Sequence, residues 1–178
     1  MKKELIIEVD EKNNVIGLRP REDFHREKHI HRSCHLMLFN SKNEVAIMKR
    51  SPNKRWYPNL YTFSVSGTVD NETTAMCIER ETKEEVGLDI KPKELFTFYH
   101  SDTQDSAFAT LYLAISDNKI TPEEKEISLV KWVKLDWLKK DTKNNPEKYS
   151  YPLLEGLKVY WERYGTKLEN VFTEVLPM

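Results

Sequence analysis

The chain of 178 residues is poor in the features that mark special classes of protein. It has only two cysteines, Cys34 and Cys77, in no Cys-x-x-Cys or Cys/His spacing. That excludes a disulfide framework and a cysteine-based zinc site, and both thiols are read as reduced and buried. It has no run of about twenty apolar residues, so no membrane-spanning helix is expected. It has little net charge: 28 basic residues stand against 29 acidic ones, leaving −1. A balanced average attracts neither nucleic acid nor an anionic membrane surface, so neither is expected as a general partner. The first ten residues hold two lysines but interrupt their apolar stretch with Glu4, Glu8 and Asp10. This is not the pattern of a secretory signal, and a cytoplasmic protein is expected. No repeat, low-complexity stretch or linker divides the chain, and an apolar share of 39% is enough to bury one core. Residues 1–178 are read as a single domain.

Alternation and turn residues lay out the elements. Residues 5–9 and 15–18 read as a hairpin around Lys12-Asn13-Asn14, and residues 31–39 and 45–49 as a second one around Asn40-Ser41-Lys42-Asn43. Residues 1–28 form an N-terminal hairpin extension, in which residues 20–28 have the composition of a short helix. Residues 51–60, with Pro52 and Pro58, read as an irregular loop, and residues 61–69 as one extended segment. Further strands are expected at 95–100, 108–115 and 130–135. Trp137-Leu138 opens a short helix, and a final helix spans 151–164. Mixed strands with helices on both sides predict an α/β/α sandwich of the α+β type.

The most informative stretch runs from Thr73 to Gly87. Ala75, Ile78, Thr82 and Val86 recur at three- and four-residue spacing, and Gly87 stands where a left-handed cap ends a helix. On that helix Glu81, Glu84 and Glu85 fall within roughly 100° of arc. Like charges at these spacings repel, and the macrodipole disfavours carboxylates near a helix C-terminus. The plain reading is a solvated acidic face. The alternative is a cluster of oxygen ligands for a hard cation such as Mg²⁺ or Mn²⁺.

A wider pattern favours the second reading. Gly67, Glu72, Arg80-Glu81, Glu84-Glu85, Gly87 and Leu88 resemble the Nudix box, placed here at residues 67–88. The seven residues between Glu72 and Arg80 match the family spacing; the loop between Gly67 and Glu72 is one residue short, and Thr82 replaces an aliphatic residue. The resemblance implies a Nudix-type sandwich with a mixed sheet, and metal ligation by Glu81, Glu84, Glu85 and the Gly67 carbonyl. It implies that Arg80 orients the glutamates, that Glu72 is a structural partner, and that the reaction is Mg²⁺-dependent hydrolysis of a diphosphate. An additional catalytic glutamate often comes from the segment before Trp132-Val133, and Glu126 is the candidate; Glu123 and Glu124 read as solubilising charge.

Segments outside the box resemble the Nudix branch related to isopentenyl-diphosphate isomerase. They are the N-terminal hairpin, His29-Ile30-His31-Arg32, residues 49–54, Trp56-Tyr57-Pro58 and residues 146–152. That isomerase carries its catalytic cysteine where Ser66 stands and a metal-binding histidine where Thr68 stands. A serine hydroxyl does not supply a thiol's proton-transfer chemistry, so hydrolysis is expected rather than isomerisation. Lys49, Arg50, Lys54 and Arg55 are candidates to bind the substrate's phosphates. His31 and His35 share a strand face and raise a second metal reading; Trp56, Tyr57, Phe63 and Phe108 are either base-stacking or packing residues. The expected substrate is a nucleoside diphosphate linked to another moiety, or a related organic diphosphate. An isomerase-like enzyme and a non-catalytic nucleotide sensor are the alternatives. Ile6, Ile7 and Val15 offer an edge for a homodimer, or else pack on their own core.

Overall fold

The computed structural model describes residues 5–25, 28–167, 169 and 171. Of the expected extension, residues 1–4, 26 and 27 lie outside them. Strands β1 (Leu5–Val9) and β2 (Val15–Pro20) pair as an antiparallel hairpin. Their turn is built by Asp10, whose carboxylate accepts from the Lys12 and Asn14 amides at 2.9 and 2.8 Å, while Asn13 takes a positive φ of 64°. Ile6 and Ile7 face the core, whereas Val15 is exposed. Of the short helix expected at 20–28, the described residues form a 3₁₀ turn, Asp23–His25.

Strand β3 (Ile30–Phe39) is the axis of the molecule. It pairs in parallel with β8 (Ser106–Ile115) along nearly its whole length. Its other edge meets β1, then β6 (Val65–Thr68), then the start of β4 (Glu44–Arg50). Such a strand is covered on both faces, which is why eight of its ten residues are buried. Cys34, Leu36 and Leu38 enter one core and Met37 and Phe39 the other. Strand β7 (Lys93–Ser101) flanks β8, while β9 (Ile127–Lys134) and β5 (Tyr61–Thr62) flank β4.

Helix α1 (Thr74–Val86) covers the first core; α2 (Leu135–Asn144) and α3 (Tyr151–Tyr164) cover the second. The α/β/α sandwich read from the sequence is therefore the architecture found. One element differs in a way that matters. Residues 61–69 do not form one strand: β3 and β4 diverge after their shared turn, and the segment fills the wedge between them. It pairs first with β4 as β5 and then with β3 as β6. At the crossing, the buried Ser64 hydroxyl donates to the Ala46 carbonyl at 2.6 Å and accepts from the Leu38 amide at 2.8 Å, replacing the missing ladder bonds. The two halves splay apart at this point, and a cavity lined by Thr62 and Ser66 opens beside it.

Candidate active site

Helix α1 is fixed at both ends by its own sequence. The Met76 amide donates to the Thr73 hydroxyl at 3.2 Å, and Gly87 closes the helix at φ 73°. Cys77, Ile78, Thr82 and Val86 are its buried residues, and Ala75 is exposed. Ala75 belongs to the first turn, ahead of the stripe that meets the sheet. The Cys34 and Cys77 sulfurs lie 3.0 Å apart as free, buried thiols.

The adjoining stripe carries Glu81, Glu84 and Glu85, and Arg80 ties part of it together. Arg80 Nη1 donates to Glu81 at 2.8 Å and Glu84 at 3.1 Å, while Nη2 donates to Glu72 at 2.6 Å. Glu85 turns the other way and accepts from the Ser66 amide at 3.1 Å. Burial, and then the charge of Glu81, push the Glu85 carboxyl up to about 8. Burial also raises Glu81, against the pull of Arg80. Gly67 leaves the room that Glu81 occupies: a Cβ there would sit 2.4 Å from Glu81 Cγ and 3.0 Å from Cys77 Sγ.

The loop before β9 is fastened to the end of α1. The Thr121 and Glu123 amides donate to the Val86 and Glu85 carbonyls, each at 2.9 Å, satisfying groups that a helix terminus leaves open. This brings Glu123 and Glu126 to the cavity, with Glu126 paired to Lys54. Glu124 stays outside it.

The cavity has a volume of about 500 Å³ and faces the glutamates with cations. Arg50 and Lys54 line it, joined by Arg21 from the end of the N-terminal hairpin. Lys49 and Arg55 are not on its wall; Lys49 lies over the Tyr61 ring and Arg55 over the Trp56 ring. Trp56 and Tyr57 line the cavity, Phe63 packs in the core, and Phe108 lies against Tyr99. His31 and His35 both line the cavity, as their shared strand face implies, but the histidines take different partners: His29 meets Glu8 at 2.6 Å, His31 meets Asp105 at 2.7 Å, and His35 meets Ser66 at 3.0 Å. Burial works against charge on His31, but Asp105 outweighs it and raises the pKa.

Residues 29–154 match the NUDIX domain family. The chain belongs to the Nudix family. A prenyl-diphosphate phosphatase of Methanosarcina mazei is 37% identical over 157 residues, 86% of this chain and 92% of that protein. Isopentenyl-diphosphate Delta-isomerases are more distant; one from Serratia proteamaculans is 25% identical over 161 residues, 87% of this chain and 90% of its own length. The crystal structure of DR0079 from Deinococcus radiodurans has a TM-score of 0.74 at 26% identity, covering 88% of this chain and 98% of that one. The MutT protein of Methanosarcina mazei, at 18% identity and a TM-score of 0.65, shares the fold. The protein is thus a Nudix hydrolase, and Nudix hydrolases generally use divalent metal ions.

Among the described residues, no three His, Cys, Asp or Glu side chains converge closely enough to hold a metal ion as they stand. The Nudix donor set nonetheless fits one. It is all oxygen, as hard divalent cations prefer, and it surrounds the glycine at which any Cβ would displace Glu81. Burial, and after it the charge of Glu81, raises the pKa of Glu85, and a cation would offset both.

Sequence reasoning missed Arg21, Asp105 and Glu123 at the cavity. Arg21 follows Pro20, which ends β2, and nothing local to the hairpin signals that the chain then turns toward α1.

Proposed function

We propose that this Nudix protein is a Mg²⁺-dependent hydrolase of organic diphosphates, with prenyl diphosphates as the favoured class and Mn²⁺ as an alternative metal. One observation carries the diphosphate reading: a single cavity holds the α1 glutamates on one side and Arg50, Lys54 and Arg21 on the other. The name of the Methanosarcina relative supports the prenyl class. Glu81, Glu84, Glu85 and the Gly67 carbonyl would hold the metal, with Arg80 orienting Glu81 and Glu84. Bound there, the ion would polarise a phosphoryl oxygen and lower the pKa of water. Arg50 and Lys54 would take the substrate's phosphate charge, and Glu126 would assist in removing the proton of the attacking water. Ser66 and Thr68 at the isomerase's cysteine and histidine positions favour hydrolysis over isomerisation. The reduced thiols fit a cytoplasmic enzyme.

A second reading, a nucleoside-linked diphosphate, is favoured by Trp56 and Tyr57 on the cavity wall, where a base would stack. Phosphate and nucleotide release from prenyl diphosphates of increasing chain length, and from nucleoside diphosphates linked to sugars, distinguishes the two. Turnover that survives Glu85→Gln undiminished would remove the site from the glutamates. No turnover with any diphosphate would leave the chain a non-catalytic member of its family.

A further inference from the structure

His35 is an unusual choice for its place. It lies on β3 directly across from Ser66 on β6, is 5% exposed, and stacks on Phe63 with ring centroids 4.7 Å apart. An aromatic or aliphatic side chain would fill the same space without desolvating two nitrogens. Burial, and then the neighbouring charge of His100, hold its pKa down at about 3, so the ring is neutral and offers one donor and one acceptor. Its nitrogens meet two serines: Nδ1 lies 3.0 Å from Ser66 Oγ and Nε2 lies 3.4 Å from Ser33 Oγ. Ser66 lines the cavity, and its own amide is the one that donates to Glu85. The row Ser33, His35, Ser66 therefore ends beside the glutamate cluster.

We propose that the Ser66 hydroxyl donates a hydrogen bond to the substrate diphosphate next to Glu85, and that His35 is the positioning residue that aims it. An anion in the cavity polarises the row in one direction: Ser33 O–H donates to Nε2, Nδ1–H donates to Ser66 Oγ, and the Ser66 hydrogen is left for the substrate. No proton changes owner; the serine is a fixed dipole beside the reacting group. The Phe63 stack sets the ring, and the ring sets the hydroxyl.

This rests on the diphosphate reading above, and kinetics with a double-mutant cycle test the two separately. Ser66→Ala and His35→Phe should each lower kcat about tenfold, the usual weight of one hydrogen bond to a charged group, with KM changed less. The double variant should lose no more than either single one, because the two act as a unit. His35→Asn, whose amide stands where Nδ1 does, should recover most of the activity, which a purely structural role does not predict. Ser66→Ala within twofold of wild type, or a double variant showing the product of both losses, overturns the proposal. Should His35→Phe fail to fold, as its melting curve will show, Ser66→Ala against His35→Asn decides by the same twofold criterion. Absence of wild-type turnover overturns the diphosphate reading together with the proposal, whereas turnover indifferent to Ser66 overturns the proposal alone.

Discussion

Gly67 and Glu81 share one space: the hydrogen of the glycine lies where a methyl group would come within 2.4 Å of the glutamate's Cγ. The obstacle is contact, since residue 67 lies in an ordinary strand. Gly67→Ala should push Glu81 out of line and cost about 1–3 kcal/mol of stability, the usual penalty of overpacking. Activity should fall further than stability explains. A thermal melt paired with a turnover assay checks this, and wild-type kcat in the alanine variant would refute it.

Arg80 serves three carboxylates, those of Glu72, Glu81 and Glu84, through one planar fork. A lysine has the charge but cannot reach three acceptors in that plane. Arg80→Lys should therefore lose activity by about tenfold or more, at a melting temperature close to wild type. Glu72→Gln, which keeps an acceptor for Arg80, should lose less. Equal losses in both would argue that charge alone matters there.

These two relationships differ in how far the sequence exposes them. The helix from Thr73 to Gly87 and its glutamate stripe depend on local chemistry, namely a capping threonine, a terminal glycine and side chains one turn apart. All of that is written in neighbouring residues. The buried stripe was legible only in part, since Ala75 fits the spacing but Cys77 is the residue that meets Cys34. Direction across a strand was harder. Lys49 and Arg50 are adjacent, yet alternation along β4 sends only Arg50 to the cavity. Hardest were contacts made by distant segments, such as Arg21 or Asp105, because their place depends on how the N-terminal hairpin and β8 pair with β3.

With Glu85 among the proposed metal ligands, metal binding is expected to depend on pH. Burial, and then the charge of Glu81, push the Glu85 carboxyl up to about 8 in the fold, from the ordinary glutamate value of 4.5. The raised value favours the folded state fully below the unfolded pKa, and that advantage is lost as pH climbs toward 8. A divalent cation takes the ionised form, so Mg²⁺ should raise the melting temperature more at pH 8.5 than at pH 6.5, and its binding near neutrality should release protons. Glu85→Gln should flatten both responses. Melts with and without Mg²⁺ at the two pH values decide it; equal shifts at both would remove Glu85 from the metal site.

Lys54 is paired with Glu126. A substrate phosphate would have to draw the ammonium away from that carboxylate. Lys54→Ala should raise KM for a diphosphate by about tenfold with a smaller change in kcat. Glu126→Gln should lower KM, because the ammonium is released, while lowering kcat if the carboxylate handles the proton. Steady-state kinetics on the two variants separate these effects, and a fall in KM without loss of kcat would take Glu126 out of the chemistry.

The N-terminal hairpin looks like an appendage, for it precedes the segment that matches the Nudix domain, residues 29–154. Its Arg21 nevertheless stands in the wall of the chamber that holds the α1 glutamates, and its Phe24 packs edge-on against His31, the partner of Asp105. At the other end, Leu157, Tyr160 and Tyr164 of α3 lie beyond residue 154 in the second core. Trimming the chain to its recognisable segment would leave the whole glutamate motif in place, yet breach the chamber on one side and hollow its foundation on the other. In this enzyme the part that names the family is smaller than the part that does the work.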